Sequence, residues 1–273
     1  AADIHAHIVQ LHSPALASLG AFAIPVLSIL HSCVASWWQA VRTGPLPDDF
    51  AWRTALVSDG LRRSTLVVTP SAAFGETVRA LYGVRPITVH NGRTISVPAA
   101  PMMDHVFTAG RLWDEGKNLR TLDEAAQHIG VPFKAAGPLR APHGEAIGLR
   151  HIHALGSLDG GALARQLASR PVFASAALYE PFGLAVLEAA SAGCALVLSD
   201  IPTFRELWDG AALFVDPRDA QGFARAIEDR IADLPDRIDA GRRAAVRAAT
   251  YTPARTGAQM ASLYARLAQR SAA

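Results

Sequence analysis

A chain of 273 residues, half of them hydrophobic and 18% charged, is too long for one small core and too apolar to remain disordered. Its 2 cysteines, Cys33 and Cys194, exclude a disulfide framework and a cysteine-built zinc site, and such sparse use fits a reducing cytoplasm. The net charge of +2 comes from Arg scattered through the second half, with no basic run interleaved with aromatics. This argues against a nucleic-acid surface and for a local site that takes an anionic small molecule.

No Asp, Glu, Lys or Arg lies between Asp3 and Arg42, and Pro14–Leu30 is almost wholly apolar. Pro25, Gly20 and the His31–Ser32 pair that follows argue against a transmembrane helix there. The stretch reads instead as a strand over Ile4–Leu11, a helix over Ala15–Phe22 and a buried strand over Val26–Leu30, because parallel strands covered on both faces are continuous apolar runs. Further strand-like runs follow at Thr65–Thr69, Ile87–His90, His105–Ala109, Phe133–Ala136, Ile152–Leu155, Val172–Ala174, Leu196–Leu198 and Ala212–Val215. Helical patterns lie between many of them, at Ser71–Tyr82, Asn118–Ile129, Gly160–Ser169, Gly183–Ser191 and Pro217–Leu234. Alternation of this kind predicts an α/β protein with parallel sheets made of right-handed βαβ units. The Pro- and Ala-rich Val97–Pro101 reads as a linker, dividing the chain into domains over residues 1–100 and 101–250. The Arg- and Ala-rich tail from Asp236 reads as helical, and residues 251–273 are expected to pack back on the first domain.

Open parallel sheets bind ligands outside the carboxyl ends of their strands, so the turns after strands matter most. Gly110-Arg111-Leu112-Trp113-Asp114-Glu115-Gly116-Lys117-Asn118 brings two cations to a strand end just ahead of a helix. Fixed charge, helix dipole and free amides suit a diphosphate there, and two exposed surface cations are the plainer alternative. In Tyr179-Glu180-Pro181-Phe182-Gly183-Leu184-Ala185-Val186-Leu187-Glu188, Glu180 lies in a loop and Glu188 inside the following helix among apolar neighbours. A carboxylate so placed needs a partner, either ribose hydroxyls or a neighbouring Arg. His31 ends a buried strand and either faces a ligand or sits half-buried and satisfied.

The span Glu180–Glu188 resembles the E-x(7)-E signature of family 4 glycosyltransferases of GT-B type, including its Pro181-Phe182-Gly183-Leu184 interior. Gly110-Arg111-Leu112 with Lys117 resembles the family's phosphate-binding segment. Ser199–Leu207, Phe214–Pro217, Thr69-Pro70-Ser71 and His90-Asn91-Gly92 are also similar to it. The resemblance implies two Rossmann-like domains facing a cleft, with a first strand and Gly-rich turn that this chain does not show. The first, acceptor-side domain is therefore expected to be incomplete, leaving a surface for self-association or a partner chain. The implied activity is retaining transfer of a sugar from a nucleotide-diphosphate sugar to a glycan, lipid-linked or small-molecule acceptor, without metal or other cofactor. Arg111 and Lys117 would neutralise the departing diphosphate, and Glu188 would grip the ribose. Glu180, with Gly110, Pro181, Phe182, Gly183 and Leu184 nearby, would hold the donor, and His31 would reach toward the transferred sugar. The resemblance also implies a cytoplasmic enzyme; attachment at the inner membrane face is common in such enzymes, although no strongly basic amphipathic helix in the sequence supports it. Two other readings follow from the same residues: a non-catalytic or partner-dependent nucleotide-sugar-binding remnant, and an epimerase on a similar scaffold.

Overall fold

The computed structural model describes residues 6–271, which form two compact units. One comprises the chain up to Gly92 together with the stretch from Pro253, and the other runs Arg93–Thr252. The chain thus passes between them twice, after Gly92 and after Thr252.

The first unit contains β1 (Val9–Leu11), α1 (Ala15–Ser18), β2 (Val26–Ile29), α2 (Val34–Val41), α3 (Asp48–Arg63), β3 (Leu66–Thr69), α4 (Ala72–Tyr82) and β4 (Ile87–Thr88). Its sheet is parallel in the order β1-β2-β3-β4, with Val9 opposite Val26, Leu27 opposite Leu66 and Val68 opposite Ile87. The apolar stretch before Arg42 is therefore a short helix and a strand buried along its whole length. Among the described residues no helix is long and apolar enough to cross a membrane.

Several elements are shorter than their sequence pattern suggests, the first two in the chain among them. The first strand is ordered as such only over Val9–Leu11, the three residues that pair with β2, while Ile4 and His5 lie outside the described residues. α1 stops at Ser18 and does not reach Phe22, because the Ser18 hydroxyl donates to the Ala15 carbonyl at 2.7 Å and Gly20 follows. α3 fills a region to which the pattern assigned nothing. It starts after Pro47 with Asp48 and Asp49 in its first turn and ends with Arg62 and Arg63, charges that complement the helix dipole. A side chain at its Gly60 would strike the Pro14 carbonyl oxygen, which is how α1 comes to lie so close.

The second unit contains β5 (Val106–Ala109), α5 (Leu119–Ala126), β6 (Phe133–Ala136), β7 (His153–Ala154), α6 (Gly160–Ala168), β8 (Val172–Ser175), α7 (Leu184–Ser191), β9 (Ala195–Ser199), α8 (Pro202–Trp208), β10 (Ala212–Val215), α9 (Ala220–Ala232) and α10 (Leu234–Ala248). After Thr252 the chain returns to the first unit as α11 (Pro253–Ser271), whose Met260, Leu263 and Leu267 join Leu27, Ile29 and Val68 in one core. The tail is two helices and not one run. Pro253 lacks an amide proton and disfavours helical geometry in the residue before it, so the break falls at Thr250–Thr252.

The second sheet is parallel throughout, in the order β10-β9-β8-β5-β6-β7. Side chains alternate between two cores, as a period of two requires. Phe107, Phe173, Leu196 and Leu198 pack with Phe182, Leu187, Phe204 and Trp208 on one face. Val106, Val172, Ala174 and Val197 pack with Leu119, Leu122, Phe223 and Ile227 on the other. The chain moves outward from β5 to β6 and β7, then starts again at β8 and moves the opposite way. β5 and β8 are therefore the switch point of a doubly wound sheet, and the crevice outside their carboxyl ends is the place for a ligand.

Candidate functional site

The loops that leave β5 and β8 meet at that switch point. The β5 loop makes a 3₁₀ turn at Glu115–Lys117, capped by Asp114, whose Oδ1 accepts from the Gly116 amide at 2.9 Å. The Gly116 carbonyl in turn accepts from the amides of Leu178 at 2.9 Å and Tyr179 at 3.1 Å, so the two loops share backbone hydrogen bonds. Asn118 adopts a left-handed conformation (φ 50°), and its Nδ2 donates to the Ala176 carbonyl at 3.0 Å and the Pro217 carbonyl at 2.6 Å. One side chain thus ties together the loops after β5, β8 and β10. Left-handed geometry suits Asn because its short polar side chain finds local partners there.

Lys117 donates to Glu180, joining the two loops by an ion pair between half-buried side chains. Arg111 is exposed and lies beside the site. Its guanidinium pairs with the buried carboxylate of Asp114 (Nη2–Oδ2 2.8 Å) and sits over the Trp113 ring at 5.9 Å. Gly110 (φ 154°) opens this loop, and Gly137 (φ 140°) packs against it so closely that a Cβ there would strike the Gly110 carbonyl oxygen.

Gly183 precedes α7 with φ 92°, and a Cβ at that position would crowd Phe204 at 3.1 Å and Glu180 Cγ at 3.3 Å. α7 begins without a side-chain cap, and helix N-termini of that kind attract anions. Phe182 is buried edge-on against Tyr251, with ring centroids 5.7 Å apart, and anchors the turn. Pro181 is half-buried and Leu184 exposed.

Glu188 lies in the second turn of α7 and is buried, its side chain 8% exposed. Burial pushes its carboxyl above the ordinary value of 4.5, opposed by its partner, the guanidinium of Arg93. Of the two partners open to Glu188, the Arg is present here. Arg93 is the residue the sequence patterns missed: it comes directly after His90-Asn91-Gly92 but far from Glu188 in the chain, and no local spacing links them.

His31 belongs to the first unit. It is exposed just beyond β2, its ring stacked on that of His12 (centroids 5.3 Å apart, planes within 4°), and a hydrogen bond joins His12 Nδ1 and His31 Nε2 at 3.0 Å. Partial desolvation and the neighbouring His12 hold its pKa below 6.5. The second unit therefore brings together Gly110, Arg111, Lys117, Glu180, Pro181, Phe182, Gly183, Leu184 and Glu188, and His31 belongs to the first. Among the described residues no group of three or more His, Cys, Asp or Glu side chains is placed to hold a metal ion.

Residues 104–233, which carry all of these except His31, match the family model described as glycosyl transferases group 1. That stretch, a little under half of the chain, is similar to the group 1 glycosyl transferases. A phosphatidyl-myo-inositol mannosyltransferase of Mycobacterium tuberculosis is 28% identical over 249 residues, 80% of this chain and 62% of that protein. The corresponding enzyme of Mycolicibacterium smegmatis is 27% identical over 94% of this chain and 70% of its own length. The chain thus spans a little over three-fifths of the first of these relatives. Among solved structures, the sucrose-phosphate synthase of Thermosynechococcus elongatus superposes with a TM-score of 0.82 at 19% identity, over 97% of this chain and 75% of that one. Anabaena HepE, solved with UDP and glucose, superposes with a TM-score of 0.74 at 18% identity, over 95% of this chain and 77% of its own. The fold is that of the GT-B glycosyltransferases.

Proposed function

We propose that the protein transfers a sugar, with retention of anomeric configuration, from a nucleotide-diphosphate sugar to a glycan, lipid-linked or small-molecule acceptor. The observation that carries this reading is the meeting of Lys117 and Glu180, with Arg111 in the same loop and Glu188 in the helix that follows, at the switch point of a sheet within the stretch that matches the group 1 glycosyl transferase model. Residues 101–250 would bind the donor and residues 1–100 the acceptor. The diphosphate would lie over the first amides of α7 with Lys117 and Arg111 as counter-charges, and Glu188 would accept from the ribose hydroxyls. Negative charge grows on the diphosphate as the glycosidic bond breaks, so these cations favour the transition state over the bound donor. Lys117 must turn from Glu180 toward phosphate, which frees the Glu180 carboxylate to accept from the donor sugar's hydroxyls. The residues this reading uses on the donor are all side chains and amides, with no metal assigned.

The test is incubation with UDP- and GDP-sugars and an acceptor mixture, following release of the nucleoside diphosphate and the anomeric proton of the product. An α-linked donor giving an α-linked product supports the reading, and an inverted product contradicts it. A second reading is favoured by the first sheet, whose consecutive order β1-β2-β3-β4 has no switch point among the described residues. It makes the chain a nucleotide-sugar-binding protein that does not turn over alone. Tight nucleotide binding with no product under any donor would support it.

A further inference from the structure

Glu188 is the residue that the proposed function assigns to ribose, yet its carboxylate is already engaged. Arg93 Nε donates to Glu188 Oε1. The two side chains differ sharply in surroundings: that of Arg93 is 50% exposed and that of Glu188 is 8% exposed. The neighbours of Glu188 along α7, Val186, Leu187, Ala189 and Ala190, are all buried as well. The guanidinium therefore comes from the solvent side and lies over what little of the carboxylate is open. Arg93 is held for this position by its backbone, whose amide donates to the Tyr251 carbonyl at 3.3 Å. The ring of that same Tyr251 supports Phe182 in the turn before α7.

A guanidinium and the vicinal diol of a ribose offer a carboxylate the same thing, a pair of adjacent hydrogen donors at similar spacing. A buried carboxylate with one open side cannot seat both. A buried charge left without any partner is strongly destabilising, so the empty site needs an occupant until the nucleotide arrives. A half-exposed Arg is suited to that task, because it can return to water at little cost once a diol takes its place.

We propose that Arg93 is an internal stand-in for ribose: it fills the Glu188 carboxylate in the empty protein, and a nucleotide binds by displacing it. The proposal rests on the donor-site reading above and deepens it. Arg93 thereby tunes donor affinity without itself belonging to the nucleotide contacts, and it keeps Glu188 paired in both states.

The test is calorimetric titration with UDP and with GDP of the wild-type protein, Arg93→Met, Arg93→Lys, Glu188→Gln and the double variant Arg93→Met/Glu188→Gln. Relief of one partly exposed ion pair should tighten binding of the Arg93→Met protein roughly fivefold. Arg93→Lys, which keeps the charge and loses the fork, should fall between it and the wild type. In the Glu188→Gln background the Arg93 change should bring no gain. Wild-type binding with equal or weaker affinity in Arg93→Met would overturn the proposal and leave the donor-site reading standing. No binding of either nucleotide by any of the five proteins would overturn both. Should Arg93→Met fail to fold, arginine-directed dicarbonyl labelling of the wild type decides the matter. Arg93 should be modified faster when nucleotide is present, and an unchanged or slower rate would contradict displacement.

Discussion

The two units are built from the same pieces, parallel strands with helices between them, yet they differ in one respect that governs chemistry. In the second, the chain reverses direction between β5 and β8, and the loops leaving those strands meet at the switch point. In the first, the order β1-β2-β3-β4 runs one way across the described strands, so successive crossovers follow one another without such a reversal. The charged site residues follow this difference. Arg111, Lys117, Glu180 and Glu188 gather at the switch point, whereas the carboxyl edge of the first sheet offers an exposed His12–His31 pair. Topology alone decides which strand ends become a binding site, and residue type then decides what binds there.

Substitutions in each unit put this contrast to the test. Lys117→Met should lower turnover by about 10²–10³-fold with a much smaller effect on nucleotide affinity, since its charge matters most as the leaving diphosphate develops. Steady-state kinetics beside titration would check this, and equal losses in both would contradict a transition-state role. Gly137→Ala should destabilise the fold by about 3 kcal/mol, because it combines a left-handed backbone with a collision at the Gly110 carbonyl, and it should damage nucleotide binding with it. Gly60→Ala is its counterpart in the first unit: denaturant unfolding should show a loss, while nucleotide affinity stays near wild type. Glu188→Ala should weaken nucleotide binding about 10- to 100-fold, the worth of charged hydrogen bonds to a ribose.

The smallest effect concerns pH. His105 is buried just before β5, and desolvation together with the nearby Lys134 and Arg237 cations holds its pKa below 6.5 in the folded chain. On acidification the unfolded chain takes up that proton first, so this contribution to stability is full above pH 6.5 and is lost as pH falls through the folded value. Unfolding free energies measured across that range should slope downward toward acid, and His105→Leu should flatten the slope.

The strands were legible in the sequence because each is a short apolar run between turn residues, and a sheet covered on both faces has no other signature. The pairing of Glu180 and Glu188 across the start of α7 was legible for a similar reason: both lie in one continuous segment. α3 was harder. Its apolar side chains are mixed with Arg53, Asp59 and the exposed Trp52, so its period is weak, and its clearest marks are Pro47, the acids after it and the closing Arg62 and Arg63. The loop-to-loop contacts were out of reach altogether. Asn118 finds the Pro217 carbonyl, and Arg93 finds Glu188, only after the strand order has been fixed. Nothing in a linear pattern marks a residue whose partner arrives by a crossover connection.

The central claim is that the donor nucleotide binds at the β5–β8 switch point of the second unit. Amide hydrogen exchange of the protein with and without saturating UDP or GDP, resolved by peptide, tests it most directly. The account predicts slowed exchange in Gly110–Asn118 and in Leu178–Glu188, with the edge strands β7 and β10 unchanged. Binding that leaves both of those segments unprotected, or that protects only peptides of the first unit, would contradict it.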